Sequence, residues 1–527
     1  MEHLFCDVLV LGSGGAGLRA AISAREMGLD VLVVSKSMPG KSTCTWFSAG
    51  VMAGTPDGAT TEAHLERTLL AGRGTNQGEL VEVLVAEAPA RLHELMHWGI
   101  HAEFQDGYLF SRGRPPVLGE ELVRCLLKRN NELGTRFMGN LLVTDLVAQQ
   151  GVVGVIAYEE ASQAWFALTA KALILATGGA AALYLRHDNP KRILGDGYRL
   201  ALEAGATLQD MEFVQFYPMA LAEPGLPPLV IPPRLADCGR LVNGHEEDVL
   251  DKYGIEERPA GERARDRLSQ ALFKEIYRDG LDVWLDLSRL PDEKWQIDPF
   301  SAALGHLLGD RYGARRRPVR VAPVAHHVMG GVKIDHRGAT TVPGVFAAGE
   351  VAGGLHGANR MGGNALSETL VFGARAGTAA AEWAKGSSPG DPRSMLLLLN
   401  ERAREWERGE STGSDFRDML SKLMWEDGGI LRNQEGLARA LATIKEMFRG
   451  SLSSSAEHRS GEVRNVIELR SATRVAALIL EGALRRSESR GAHFREDFPK
   501  QDDDNWRGHL QVHLTSNGEE VWHFQPE

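Results

Sequence analysis

Cysteine is scarce in this chain. The 527 residues hold four, Cys6, Cys44, Cys125 and Cys238, widely scattered, with no C-x-x-C pair and no histidine at metal-ligand spacing. That pattern excludes a disulfide framework and a resident iron–sulfur cluster and assigns no metal site. Excess positive charge is missing too: 59 Lys and Arg stand against 70 Asp and Glu, a net charge of −11, which excludes a nucleic-acid binder that relies on bulk charge. No apolar run reaches the roughly 18 residues needed to span a bilayer, and no basic leader or cleavage site precedes "CDVLVLGSGG". The expectation is a soluble, cytoplasmic protein without membrane insertion. At this length the chain has about three to four domains' worth of material and ample scope for a large core.

What is present is glycine placed for nucleotide binding. "CDVLVLGSGGAGLRAAISAREMGLDVLVVSKS" reads as strand, glycine turn, helix and second strand, because unbroken Val/Leu runs flank a helical stretch of Ala, Arg and Glu. Gly12, Gly14 and Gly17 give G-x-G-x-x-G at the strand-to-helix turn, where side chains would hold a pyrophosphate away from the helix amides. The second strand ends at Ser35 and Lys36 rather than at the acidic residue that often holds an adenosine ribose, so other groups must complete those contacts. "KALILATGGAA" (171–181) and "VPGVFAAGEVAGG" (342–354) read as returning strands of the same parallel sheet. Glu350 is placed for a ribose hydroxyl.

These pieces lie far apart, which predicts an insertion. The expected organisation is an α/β fold: a Rossmann-like dinucleotide-binding domain made of residues 1–216 and 325–385, interrupted by an α+β capping domain at 217–324, then a C-terminal helical domain at 386–527 with an extended tail. "GSSPGDP" (386–392) reads as a linker, the following segments carry apolar residues at helical spacing, and "KQDDDN" (500–505) reads as a solvated turn rather than a metal site.

"HHVMGGVKID", "VPGVFAAGEVAGGLHGANRMGGNAL" and "GDGYRLALEAGATLQDMEFVQF" together resemble the flavoprotein family of fumarate reductase, succinate dehydrogenase and L-aspartate oxidase, over nearly the whole chain. The resemblance implies FAD, with Gly12, Gly14, Gly15, Gly17, Ser35, Lys36, Ser42, Thr43, Gly50, Thr177, Gly178, Asp196, Glu350, Asn364 and Leu366 at cofactor positions. Respiratory members tether the flavin through a histidine where this chain has Thr43, so noncovalent FAD is expected. The resemblance also implies that Arg360 binds a substrate carboxylate, helped by His326 rather than the adjacent His327. It gives Arg265, in "GERARDRLSQALFKEI" (261–276), the role of proton donor, with Asp266 as a candidate to orient it. A guanidinium suits the first task because its paired N–H donors match a carboxylate.

The departures concern the far end of the pocket. Members that handle succinate or fumarate carry a histidine and a threonine where this chain has Tyr217 and Met219, and a Thr-Glu pair where "PGLPPLVIPPRLADCGR" brings prolines and aliphatics. A second carboxylate would bind poorly there unless Tyr217, Arg234 or Arg240 turned in to meet it. The glycine-rich "REGGHS"-like stretch of aspartate oxidases is replaced by "FSRGRPPVLGEEL" (110–122). The reading is hydride transfer at the α,β bond of a carboxylic acid other than plain succinate or fumarate, with electrons exchanged with a separate iron–sulfur subunit. Two alternatives stand beside it: an aspartate oxidase-type enzyme, and a flavin electron-relay subunit with a degenerate pocket.

Overall fold

The computed structural model describes residues 2–54, 61–149, 152–406, 415–452 and 462–527. Its central layer is a seven-stranded sheet. Glu2–Leu11 runs parallel to Val31–Val34 on one side and to Ala164–Leu175 on the other, and Arg136–Met138 extends the sheet beyond Val31–Val34. Ala164–Leu175 is long enough to change neighbours along its length. Its first half pairs antiparallel with Val152–Glu159, and its last residues pair in parallel with Val345–Ala347. The Val/Leu runs are buried on both faces, as a sheet between helices requires. Helices Gly15–Glu26 and Asn364–Gly386 pack together through bare surfaces, since a Cβ at Gly377 would lie 2.3 Å from the Ala20 carbonyl oxygen.

A second apolar core gathers Tyr217, Met219, Leu235, Leu268, Trp295 and Val324 around a four-stranded antiparallel sheet. Two of its strands, Val214–Leu221 and Val319–Val328, pair from Val214↔Val328 to Leu221↔Val321. The expected borders at 216/217 and 324/325 therefore fall inside paired strands. A two-stranded ribbon, not a linker, carries the chain out and back.

The C-terminal helices Asp415–Glu426, Gln434–Leu452 and Glu462–Arg485 do not build a core of their own. Leu437, Ile444, Val475 and Leu478 join the same buried cluster as Val8 and Leu9. The tail expected to be extended is a hairpin, Gly508–Leu514 with Glu520–Pro526, docked antiparallel on Leu208–Gln209. Its alternating apolar residues need a covered face, and the two-residue strand Leu208–Gln209 anchors it there. Beneath it lies a buried ionic group: Arg486 reaches Glu212 at 2.6 Å and Glu488 at 3.1 Å, and Arg490 reaches Glu488 at 2.8 Å. From this group the chain passes directly to the loop around Arg360, where the Ala492 N–H donates to the Ala358 carbonyl at 2.9 Å and Arg490 donates to the Arg73 carbonyl at 2.7 Å. No described helix is long and apolar enough to cross a membrane.

Candidate functional site: a nucleotide cradle beside two unpaired arginines

The glycine turn divides into two kinds of position. Gly12 has φ +113°, and a Cβ there would lie 2.0 Å from the Ala176 carbonyl oxygen; one at Gly17 would lie 2.0 Å from the Gly12 oxygen. Packing alone requires those two. Gly14 is different: its Cβ would meet no protein atom nearer than 3.6 Å, and Gly178's would meet none within 4 Å. Bareness there leaves room for a ligand. The helix Gly15–Glu26 starts at this open space with no side-chain cap and no acidic residue in its first turn, which leaves its amide end suited to phosphate. The Thr177 hydroxyl, which lies against Gly197, is buried without a hydrogen-bond partner among the described residues. These features fit FAD.

The other nucleotide candidates differ in what they have left to offer. Lys36 Nζ lies 2.5 Å from Asp196 Oδ2. Burial works to raise Asp196, but Lys36, Ser471 and Arg199 outweigh it and hold the carboxyl below the usual range. The Ser35 hydroxyl donates to the Ser37 carbonyl at 2.8 Å, and the Gly15 N–H donates to Thr45 Oγ1 at 3.0 Å. Ser42 takes a left-handed backbone (φ 52°). Thr43 caps the short helix Cys44–Phe47 by accepting from the Trp46 N–H at 3.1 Å. Gly50 is bare because a Cβ would lie 2.1 Å from Ser111 Oγ. Asn364 spends its side chain on His64 (2.8 Å) and Thr68 (2.9 Å), and Leu366 packs with Trp46 and Leu122, so for these two only the backbone is free to meet a ligand. Burial pushes the Glu350 carboxyl up to about 7, with the Val328 N–H bound to it at 3.0 Å.

Beside this cradle, three elements bring Arg265, Arg360 and His326 together. Arg265 opens the helix Arg265–Phe273 and lies over the Tyr217 ring at 5.2 Å. It donates to Gln215 Oε1 at 2.9 Å and to the Gly261 carbonyl at 3.2 Å. Gln215 in turn donates from Nε2 to the Arg360 carbonyl at 2.9 Å and to Asn359 Oδ1 at 2.6 Å, so one amide ties both arginines into register. Among the described residues the Arg360 guanidinium donates only a 3.3 Å bond to the Met361 carbonyl, and its Nε has no partner. Both arginines are buried, with 6% and 4% exposure for Arg360 and Arg265, and neither forms an ion pair among the described residues. Burial, then the charge of Arg265, lowers the Arg360 guanidinium to about 9.

The two histidines face different neighbours. His326 Nδ1 sits 2.6 Å from Asp188 Oδ2, and its ring is 5.7 Å from Tyr217, on the side of Arg265. Burial first, then the two arginines, outweigh Asp188 and lower its pKa. His327 lies 3.6 Å from Glu350 and 5.3 Å from the His356 ring, on the cradle side. Its Nε2 has no partner. His327, His356 and Glu368 bring donor atoms within 4.8 Å of one another, joined by a 3.0 Å bond from His356 Nε2 to Glu368.

The polar groups expected to meet a second carboxylate are committed elsewhere or exposed. The Tyr217 hydroxyl donates to the Ile231 carbonyl at 2.6 Å, Met219 is buried, Arg234 pairs with Asp106 at 2.6 Å, and Arg240 is 65% exposed. None of Tyr217, Arg234 and Arg240 turns inward to meet a second carboxylate. Asp266 does not orient Arg265 either: its carboxylate bonds Arg73 at 3.3 Å and the adjacent Arg267 N–H. Sequence reading missed the Gln215 tether, although a lone amide in the apolar strand "VQFYPMAL" was its signal. It also missed Asp188, which nothing local marks.

Residues 7–366 match the FAD binding domain family, and residues 417–525 match the family described as fumarate reductase flavoprotein C-term. The sequence is 36% identical to a subunit of the fumarate reductase (CoM/CoB) of Methanothermobacter marburgensis, over 94% of this chain and 95% of that protein. It is 33% identical to the L-aspartate oxidase of Streptomyces coelicolor, over 97% of this chain and 91% of that protein. The solved structure of FrdA from E. coli quinol fumarate reductase superposes with a TM-score of 0.88 at 28% identity, covering 100% of this chain and 97% of that one.

Proposed function

Because the chain belongs to the fumarate reductase, succinate dehydrogenase and L-aspartate oxidase family of flavoproteins, we propose that this FAD-dependent oxidoreductase works at the α,β bond of an acid with one carboxylate and an apolar opposite end. The observation that carries this reading is the pair of buried guanidinium groups without a carboxylate partner among the described residues. An unpaired buried charge costs several kcal/mol, of order 3–5 when one partner of a pair is missing, and an organic anion is the natural compensation.

The Gly12–Gly17 turn, Thr177, Gly178 and Glu350 would hold FAD. When bound, FAD supplies or accepts the hydride at the β-carbon. Arg360 grips the carboxylate with its free N–H donors, and His326, steadied by Asp188, adds a further contact. Both oppose the negative charge that spreads onto the carboxylate as the β-carbon gains hydride. Arg265 gives a proton to the α-carbon. Its burial weakens its hold on that proton, and a carbanion-like centre is a strong enough base to take it. Tyr217, Met219 and Ile231 line the far end and exclude water from it. With Thr43 committed as a helix cap, FAD binds noncovalently. Electrons are exchanged with a separate iron–sulfur protein. That reading is supported by a relative whose own name makes it part of a larger reductase and by the absence of any cluster-ligand spacing among the four cysteines.

The test is an anaerobic titration of photoreduced protein with crotonate, 2-hexenoate, cinnamate and fumarate. The monocarboxylates should reoxidise the flavin faster than fumarate does. A faster reaction with fumarate would refute the substrate class, and no reaction with any acid would refute the chemistry.

A further inference from the structure

Residues 186–189, a few positions past Thr177 and Gly178, run beside the strand that carries His326. The Ala325 N–H donates to the Arg186 carbonyl at 2.9 Å and the Asp188 N–H to the Ala325 carbonyl at 3.3 Å. Three polar side chains thereby stand behind the imidazole. The Cys44 thiol, which burial pushes up and so keeps protonated, donates to Asn189 Oδ1 at 3.1 Å. Asn189 Nδ2 donates to the His326 carbonyl at 3.0 Å and to Asp188 Oδ1 at 2.9 Å. The other Asp188 oxygen, Oδ2, lies 2.6 Å from His326 Nδ1. A carboxyl group is a stronger acid than imidazolium, so the hydrogen between them sits on Nδ1.

Nε2 is then the lone-pair nitrogen. Burial first, and then Arg360 and Arg265, outweigh Asp188 and keep the ring neutral near pH 7. Among the described residues nothing donates to Nε2. The Tyr217 hydroxyl, on the nearest ring, is turned to the Ile231 carbonyl, and His327 faces Glu350 instead. The His326 side chain keeps 27% of its surface exposed. A carboxylate brings no proton to such an acceptor, and an ammonium would stand among two guanidinium charges. A neutral hydroxyl next to the carboxylate suits both: the carboxylate goes to Arg360 and the O–H donates to Nε2.

We propose that Asp188 and His326 form a base for the hydroxyl of a 2-hydroxy acid, and that the site oxidises such an acid to the 2-oxo acid. This rests on the reading of Arg360 as the carboxylate grip and adds a second reaction at the same place. The hydroxyl proton passes to Nε2, the α-hydrogen leaves with its electron pair to bound FAD, and the C–O bond becomes C=O. Each 2-hydroxy acid yields a 2-oxo acid, a proton and an FAD reduced by two electrons. Asp188 is a positioning residue: it holds the imidazole in its tautomer and offsets the charge the ring gains.

The experiment uses full-length, FAD-loaded, oxidised protein without oxygen. Isobutyrate is compared with 2-hydroxyisobutyrate, which has the hydroxyl but no α-hydrogen to lose. Calorimetry at about pH 8, above the ordinary imidazole range, in two buffers of different ionisation enthalpy counts protons. Isobutyrate should take up about one proton as His326 becomes charged. The hydroxy acid should take up none and bind about 10-fold more tightly, the value of one hydrogen bond. In Asp188→Asn the amide can donate to Nδ1 and make Nε2 the proton-bearing nitrogen, so proton uptake and preference should both vanish. Separately, an excess of 2-hydroxybutyrate, each enantiomer in turn, should bleach the wild-type flavin and form 2-oxobutyrate, about 100-fold more slowly in Asp188→Asn. Equal proton uptake with the two isobutyrates overturns the proposal, as does a flavin that neither enantiomer bleaches. A slowed Asn variant with wild-type proton uptake marks a structural role and overturns it as well. Isobutyrate that fails to bind wild type, or binds Arg360→Met as tightly, removes the carboxylate grip itself, and this proposal with it.

Discussion

Replacing Arg360 by methionine should stabilise the acid-free protein while abolishing its response to acid. Burial, and Arg265 next, bring this guanidinium from its ordinary range down to about 9, a penalty on the order of 5 kcal/mol while both folded and unfolded chains carry the charge. The sign is that of a base whose folded pKa is lowered. The penalty is complete below about 9 and is relieved only as the pH rises from there toward the ordinary guanidinium range. Methionine fills similar space without the charge, and such replacements give about 1–4 kcal/mol. A rise of a few degrees in the unfolding temperature follows. With acid present the order changes. Two unit charges 4 Å apart at an effective dielectric constant of 20 attract by about 4 kcal/mol, close to three powers of ten in affinity. Wild type at 100 times its Kd for crotonate should gain about 2.7 kcal/mol, and Arg360→Met should gain none. Flavin fluorescence during heating, in buffer free of carboxylates and phosphate, reads both arms. An Arg360→Met protein that melts below wild type without acid, yet still responds to crotonate, would refute the reasoning.

His326 gives a pH prediction. Its pKa is lowered in the acid-free protein by burial and the two arginines, and a bound carboxylate opposes both arginines and raises it. Binding therefore takes up a proton, so crotonate affinity should increase as pH falls, level off below the acid-free pKa, and lose this slope in His326→Gln. Flavin should leave the protein on acid precipitation, colouring the supernatant; a yellow pellet would contradict the noncovalent reading. Met219→Thr combined with Tyr217→His should speed reoxidation by fumarate relative to crotonate, as stopped-flow absorbance will record. Gln215→Leu breaks the bonds to Arg265 and to the Arg360 carbonyl and should weaken crotonate binding by about 10-fold, the value of one or two hydrogen bonds to charged groups.

Much of the site was legible because it is written locally. The turn at Gly12–Gly17 is fixed by clashes between near neighbours, and Arg360 sits in a run of small residues that no packed helix would choose. His326 and His327 are adjacent on one strand, so alternation sends one toward Tyr217 and the other toward Glu350. What was hidden is what depends on distant partners. Asp188 is one more loop carboxylate until His326, 138 positions on, is brought beside it. The hairpin at Gly508–Pro526 had no visible partner because its docking strand, Leu208–Gln209, is two residues long. The border strands were split in the reading because apolar alternation runs unbroken through them.

The strap of residues 486–495 has a consequence for how the enzyme is made. The nucleotide fold emerges first in synthesis and can begin to pack. Ala358, two residues before Arg360, accepts its backbone bond from Ala492, which is translated much later. A ribosome-bound chain can thus begin to acquire its flavin fold while the loop around Arg360 is still unfastened, and that loop is tied down only with the closing of the last stretch.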